Sequence, residues 1–349
     1  MTSRAAAKGC VHDLPCRSSV LSPDDHTVKG RTKKTFGNTV HSHAALGRDN
    51  GGSSGWGCID VKVCIYCRNV FESKGWQCPR CHREPLLSEG YPSLAPEMSN
   101  ASSGFVPENF KRLAAVEAGN FWFRARNRLI IWALKRYFPQ ARTFLEIGCG
   151  TGFVLSGIEQ AVPDLSLSGS EISSSGLAYA AQRTRSAELF QMDARHMPFV
   201  NAFDLIGAFD VLEHVDEDDT ILAEMNKALT DRGGVILTVP HHKFLWSRAD
   251  EDARHVRRYT RTELLKKIEA AGFSVVRMTA FVSFLFPLML AARLRPGARN
   301  KNPDVMAELE MHPLPNWVFE KILDAERQII RAGVDFPFGG SLLLVAKKL

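Results

Sequence analysis

The stretch "FLEIGCGTGF", residues 144–153, decides how the rest of the chain is read. An apolar run carries one acid, Glu146, and three glycines follow at 148, 150 and 152. Glycines at this spacing leave backbone bare for close approach of a ligand. The pattern is not a dinucleotide fingerprint, because Phe153 stands where its last Gly or Ala would be, and no Lys-Ser/Thr pair follows as in a phosphate loop. A pyrophosphate is therefore disfavoured. The acids point to a ligand with hydroxyls and positive charge: Glu146 lies inside the end of one strand-like run, and Glu171 closes the next, where a carboxylate can accept two ribose hydroxyl hydrogen bonds.

Outward from this loop the chain alternates two periods. Strand-like segments fall at 143–149, 166–172, 188–193, 203–210, 234–240, 274–281 and 341–347, and helix-like segments at 152–161, 174–183, 218–229 and 261–271. The expected fold class is α/β: a mostly parallel sheet covered by helices on both faces, with ligands at the carboxyl ends of its strands. Before the loop, apolar residues interleaved with Arg and Lys support a helix that ends ahead of Pro139, with Asn120 as N-cap. The aromatic run Phe121-Trp122-Phe123 reads either as core packing or as a lid over the ligand.

Four motifs in order now carry a resemblance. The chain from about residue 121 to its end resembles the class I S-adenosylmethionine-dependent methyltransferases. "LEIGCGTG" is similar to the family's first motif and "SGSEIS" to its second, ending in the ribose-binding acid; "QMDARHMPF" resembles the third-strand loop and "FDLIGAFDVLEHV" the fourth-strand motif. The resemblance implies a seven-stranded Rossmann-like sheet whose last strand is antiparallel. It implies S-adenosylmethionine as cofactor, held by Glu146, Gly148, Cys149, Gly150, Gly152, Glu171, Ile172, Asp193, Ala194, Phe209, Asp210 and Val211. Asp193 would hold the adenine amino group, and Phe209, Asp210 and Val211 would lie near the methionine end.

Methyl transfer from a sulfonium needs alignment and, for a hydroxyl or acidic carbon, loss of a proton. Histidines at strand ends are the candidate bases: His214, His241 and His255, with His242 beside them. His255 is the first choice, with Arg257, Arg258 and Tyr259 expected either to grip the acceptor or, for the arginines, to pair with Asp250, Glu251 and Asp252. Thr260 and Glu263 have capping-box spacing. The minimal fold is interrupted at about 282–340, where 281–292 is apolar and is followed by Arg293, Arg295, Arg299 and Lys301. That insertion is expected to cap an apolar pocket, to touch an anionic membrane surface, or to add core. A further amphipathic helix is expected at 315–333.

Towards the N-terminus, "CIYCRNVFESKGWQCPRC" holds two Cys-x-x-Cys pairs, Cys64 with Cys67 and Cys78 with Cys81. Two such turns complete a tetrahedral thiolate site of the kind zinc prefers, on a small ribbon whose hairpin is expected to turn near Lys74-Gly75. The expected organisation is a disordered tail at 1–57, a zinc-ribbon-like module at 58–85, a linker at 86–106 and a methyltransferase domain at 107–349. The formal charge is +6, of which the first 57 residues, with eight Lys or Arg against four Asp, carry +4, so nucleic acid is possible but not favoured as a partner. No run of 18 apolar residues occurs, which fits a cytoplasmic protein, with peripheral contact to the inner face of a membrane left open. The leading expectation is methyl transfer to a small or lipophilic acceptor such as a quinone precursor, polyketide or lipid-linked intermediate. An RNA methyltransferase using the ribbon for recognition and a non-catalytic S-adenosylmethionine-binding regulator that recruits a protein partner through it are the alternatives.

Overall fold

Seven strands build the sheet that positions the site: β5 (Thr143–Ile147), β6 (Ser166–Glu171), β7 (Glu188–Gln191), β8 (Phe203–Phe209), β9 (Leu229–Pro240), β10 (Phe273–Phe281) and β11 (Ser341–Lys348). In this computed structural model, residues 61–98, 107–294 and 311–349 are described. All of them fall in the compact unit Ser54–Leu349. The expected tail at 1–57 and the arginines of the insertion beyond residue 294 lie outside the described residues.

The strand order is β10-β11-β9-β8-β5-β6-β7, and β11 runs antiparallel to both of its neighbours while the β9-β8-β5-β6-β7 set is parallel. This is the mostly parallel α/β fold expected from the alternation, with the antiparallel last strand that the resemblance implied. The central strands read as continuous apolar runs because both of their faces are covered. Two buried clusters result. One, around Phe190, Phe199, Phe203 and Leu237, packs under one set of helices; the other, around Leu134, Phe144, Leu155 and Leu343, packs under the opposite set.

Helices α1 (Pro107–Val116) and α2 (Phe121–Tyr137) precede the sheet, and α3 (Phe153–Ala161), α4 (Ser174–Arg183), α5 (Asp218–Ala228), α6 (Arg248–Asp252) and α7 (Arg261–Ala270) follow between its strands. Asn120 caps α2 by accepting from the Trp122 N–H at 2.9 Å. The insertion runs from the end of β10 to the start of β11 and contributes α8 (Phe286–Leu294) and α9 (Pro313–Arg331). Among the described residues, no helix is long and apolar enough to cross a membrane.

The N-terminal module is a pair of matched turns. The Arg68 and His82 N–H groups donate to Cys64 and Cys78 carbonyls at 2.9 and 2.8 Å, and both residues take left-handed backbone, at φ 59° and 57°. Strands β1 (Val61–Val63) and β2 (Val70–Glu72) pair across the first turn. The hairpin therefore does not turn near Lys74-Gly75 as expected; the first cysteine turn itself reverses the chain. Residues 86–98, expected to open a linker, are folded as β3 (Leu87–Ser88) and β4 (Tyr91–Pro92). Positive φ at both Glu89 and Gly90 supplies the tight reversal that such a two-residue turn requires. Beyond it, Ser93 bridges to Gln191 on β7, the Ser93 hydroxyl donates to the Gln191 carboxamide at 2.7 Å, and Trp76 meets Phe190 edge-to-face.

Candidate active site

The order of strands reverses between β5 and β8, and the crevice at their carboxyl ends is where an open α/β sheet binds its ligand. The glycine loop leaves β5 here. Gly148, Gly150 and Gly152 all lie in the left-handed region, at φ 64°, 53° and 74°. A Cβ at Gly148 would come within 2.7 Å of Val211, and one at Gly152 within 2.7 Å of the Ala180 backbone, so side chains are excluded at both. At Gly150 the nearest obstacle, Phe110, is 3.9 Å away, and the constraint there is conformational.

Glu171 sits directly across this loop. Its carboxylate accepts from the N–H of Gly150 at 3.0 Å and of Ile172 at 2.9 Å, and from that of Ser173 at 3.3 Å. Burial raises its pKa, opposed by these three backbone bonds. Cys149 is buried and donates its backbone N–H to Ser170 at 2.9 Å. Glu146 is 3% exposed, one carboxylate oxygen has no hydrogen-bond partner, and burial pushes its pKa well up against the pull of Arg126. Asp193 is held by Arg195, whose guanidinium donates to both carboxylate oxygens at 3.0–3.1 Å. Ala194 packs half-buried against the first core cluster, and Phe209 lies in the second.

Helices α1 and α2 close over the loop. Thr151 donates to Glu117 at 2.5 Å, Arg183 donates to Thr151 at 2.8 Å and to the Ala114 carbonyl at 2.7 Å, and Arg183 is also paired with Glu117. The aromatic run divides its work. Phe123 is buried and meets Phe153 edge-to-face, whereas the Trp122 ring lies against the Arg126 guanidinium, 4.5 Å from its centroid. Arg126 is ion-paired with Asp210, which has a left-handed φ of 59° at the end of β8. Sequence reasoning missed Arg126, and only the Arg-rich interleaving of α2 hinted at it.

The far side of the cleft gathers more distant pieces. A crevice is lined by Trp122, Arg126 and Leu129 of α2, Phe281 and Val282 at the end of β10, and Leu323 and Arg327 of α9. The Nε atoms of Arg126 and Arg327 are buried without a partner. The neighbouring Glu326 accepts from the Ser283 and Phe284 N–H groups at 2.7 and 2.8 Å and so ties α9 to the chain entering α8.

The histidines fall into two pairs. His214 and His255 face each other edge-on with ring centroids 4.8 Å apart, and Glu213 lies beside them. His241 is 2% exposed and stacks on His242 at 3.5 Å; burial lowers its pKa to about 3, so it is neutral at physiological pH. Burial, with the neighbouring His255, likewise lowers that of His214 to about 4. His255 Nδ1 is 2.9 Å from Asp250, which Arg258 also grips at 2.7 and 3.1 Å. Arg257 pairs with Asp216 and Asp218. Both arginines are thus engaged within the protein. Tyr259, expected to grip an acceptor, is instead a core side chain: it is 1% exposed and its hydroxyl donates to Asp218 at 2.6 Å. The Thr260–Glu263 capping box fixes the next residue as a helix cap, and Tyr259 is drawn inward with it.

Buried or half-buried carboxylates at Glu117, Glu146, Glu171 and Asp210 thus converge on one end of the sheet with Arg126 and Arg183 among them. That balance suits a cationic ligand such as a sulfonium amino acid. At the module, the four cysteine sulfurs lie within 4.8 Å of one another, with Cys64 to Cys81 at 3.6 Å and Cys67 to Cys78 at 3.7 Å.

Residues 118–278 match the family model described as a methyltransferase domain. Over 100 residues the chain is 33% identical to the malonyl-[acyl-carrier protein] O-methyltransferase of Alcanivorax borkumensis, a match covering 28% of this chain and 34% of that protein. The chain thus spans about a third of the length of this curated relative. Among solved structures, the [4+2]-cyclase SpnF is 23% identical, with 65% of this chain and 82% of that chain covered and a TM-score of 0.44. Phosphoethanolamine N-methyltransferase 2 of Haemonchus contortus, solved with S-adenosyl-L-methionine, is 16% identical over 72% of this chain and 59% of its own, with a TM-score of 0.48. The family match lies across the glycine loop and the first five strands of the sheet, so residues 118–278 form a methyltransferase domain.

Proposed function

We propose that the enzyme transfers a methyl group to a small or lipophilic acceptor, with S-adenosylmethionine held by Glu146, the 148–152 loop, Glu171, Asp193 and the 209–211 segment. The observation that carries the acceptor class is the crevice beside Asp210, whose walls are Trp122, Leu129, Phe281, Val282 and Leu323 with the guanidinium groups of Arg126 and Arg327. Walls of this chemistry favour an apolar body with an oxygen at one end. Phe244 and Phe338, which meet the His242 ring, and Phe284 and Leu288 of the insertion are exposed, a surface suited to a lipophilic molecule arriving from a membrane or carrier. The part-length likeness to a malonyl-carrier methyltransferase agrees with an oxygen acceptor presented on a carrier.

The cysteine module fits zinc by its donor set, four thiols brought together by two matched turns, and its role is structural. Its Ile65 and Trp76 pack against the core of the catalytic sheet and are not free to recognise RNA. The test is to supply isotope-labelled methyl donor and separate lipid, small-molecule and RNA fractions at two salt concentrations. Label in lipid or small molecules, insensitive to salt, supports the reading. Label confined to RNA, with incorporation collapsing as salt rises, would replace it with the nucleic-acid reading.

A further inference from the structure

The Glu213 carboxylate is 0% exposed and neither of its oxygens has a hydrogen-bond partner. Leaving a buried carboxylate unanswered is costly, and native structures rarely do so without a ligand to satisfy it. Beside it, His214 Nδ1 is also buried without a partner, while backbone groups of Ala253 and Arg254 hydrogen-bond the same ring. His255 repeats the arrangement: its Nδ1 meets Asp250 at 2.9 Å, which leaves Nε2 as the ring nitrogen to ligate. One donor atom from each of the three residues lies within 4.8 Å of the others.

Two histidines whose second nitrogen is fixed by an oxygen acceptor, together with one carboxylate, are the donors and outer partners a divalent cation uses. The backbone pins them in place. Val256 N–H donates to the Glu213 carbonyl at 2.7 Å, His255 N–H to the Asp250 carbonyl at 2.8 Å and His214 N–H to the Val211 carbonyl at 3.0 Å. Both imidazoles are only partly buried, so an ion has a path in.

We propose that Glu213, His214 and His255 form a divalent-cation site at the acceptor end of the cleft, and that the ion takes the acceptor through its oxygens. Glu213 and His214 stand three and four residues from Asp210 along one segment, so an acceptor bound there is near the methyl donor. With a hydroxyl acceptor the ion lowers the hydroxyl pKa; the proton leaves to water, the oxygen–methyl bond forms as the methyl–sulfonium bond breaks, and S-adenosylhomocysteine is released. This consequence rests on the methyltransferase reading, whereas cation binding itself does not.

The test uses the full chain with its cysteine site filled with zinc, titrated with Mn²⁺ followed by electron paramagnetic resonance, and in parallel with Zn²⁺ by calorimetry. The expected result is one further ion per chain, bound at least tenfold more weakly by Glu213→Gln and by His214→Ala, while S-adenosylhomocysteine affinity stays at the wild-type value. Should Glu213→Gln fail to fold, as judged by loss of that affinity, His255→Asn on the more accessible ring carries the same expectation. Binding of neither ion beyond the cysteine site, or binding unchanged in the variants that fold, would overturn the proposal and leave the choice of acceptor class untouched.

Discussion

The two halves of the cleft are built from different materials. On the half proposed for the cofactor the walls are backbone: three left-handed glycines, and a Glu171 carboxylate that accepts three main-chain N–H bonds. On the half proposed for the acceptor the walls are side chains sent from α2, the end of β10 and α9, two of them, Arg126 and Arg327, with a buried Nε that has no partner. Backbone cannot be exchanged without moving the fold, so it suits a ligand that never varies. Side chains can be replaced one at a time, and unanswered guanidinium and imidazole nitrogens await whatever the acceptor brings. The difference separates a half fixed by the fold from a half that side-chain substitution can retune.

The largest expected effect strikes the first half. Gly148→Val puts a branched side chain where Val211 leaves 2.7 Å for a Cβ, on backbone at φ 64°. A left-handed non-glycine residue costs on the order of 1–3 kcal/mol and overpacking about as much again, so cofactor affinity should fall by roughly a hundredfold or more. Calorimetry finding it unchanged would end the distinction between the halves. Next, Leu323→Asp places a charge in the acceptor crevice but touches no part of the glycine loop. Methyl incorporation should fall at least tenfold while S-adenosylmethionine binds as before; equal losses in both measurements would show the halves to be one unit.

A smaller effect probes what supports the cofactor half from outside. Trp76 of the cysteine module packs on Phe190 and Phe199 beneath β6 and β7. Trp76→Ala should lower stability by about 3 kcal/mol and should do so in a single melting transition, because the module shares the sheet's core. Two separate transitions by calorimetry would mean that the module stands alone. The smallest effect lies outside both halves, in the core beside α5. Asp218 is buried and receives Tyr259, Lys267 and Arg257, and although burial alone would raise its pKa, Lys267 and its other partners hold it below the ordinary value. Its stabilisation is therefore complete above the unfolded value of about 4 and is lost as pH falls through the lower folded one. Asp218→Asn should lose about 1–2 kcal/mol at neutral pH and less in acid; an equal loss at both would remove the charge from the account.

The cofactor half was legible in the sequence because each of its parts is contiguous. Residues 148–152 carry their own conformational requirement, and Glu171 follows an apolar run whose end it marks. The expected boundaries of α4 match those observed, and those of β6 and α7 fall within one residue. Nothing local announces that Arg126 reaches Asp210 or that Leu323 and Trp122 line one crevice, since these contacts depend on how α2 and α9 lie against each other. Glu213 was hidden for another reason: within "DVLEHV" it reads as the polar end of a strand, and only its burial without a partner sets it apart. Tyr259 misled because an aromatic beside two arginines in a loop suggests grip, whereas the cap at Thr260 turns it into the core.

The clasp of Glu117, Thr151 and Arg183 also bears on time. It fastens the helix carrying Phe110 across the glycine loop with a largely buried ion pair and two hydroxyl-centred bonds. A spent cofactor leaving past that helix must first undo them, and lid motions of this sort run on microsecond to millisecond scales. The clasp predicts that the residence of S-adenosylhomocysteine paces successive turnovers. Thr151→Val should shorten that residence by several-fold in stopped-flow displacement, and an unchanged release rate would place the pacing step elsewhere.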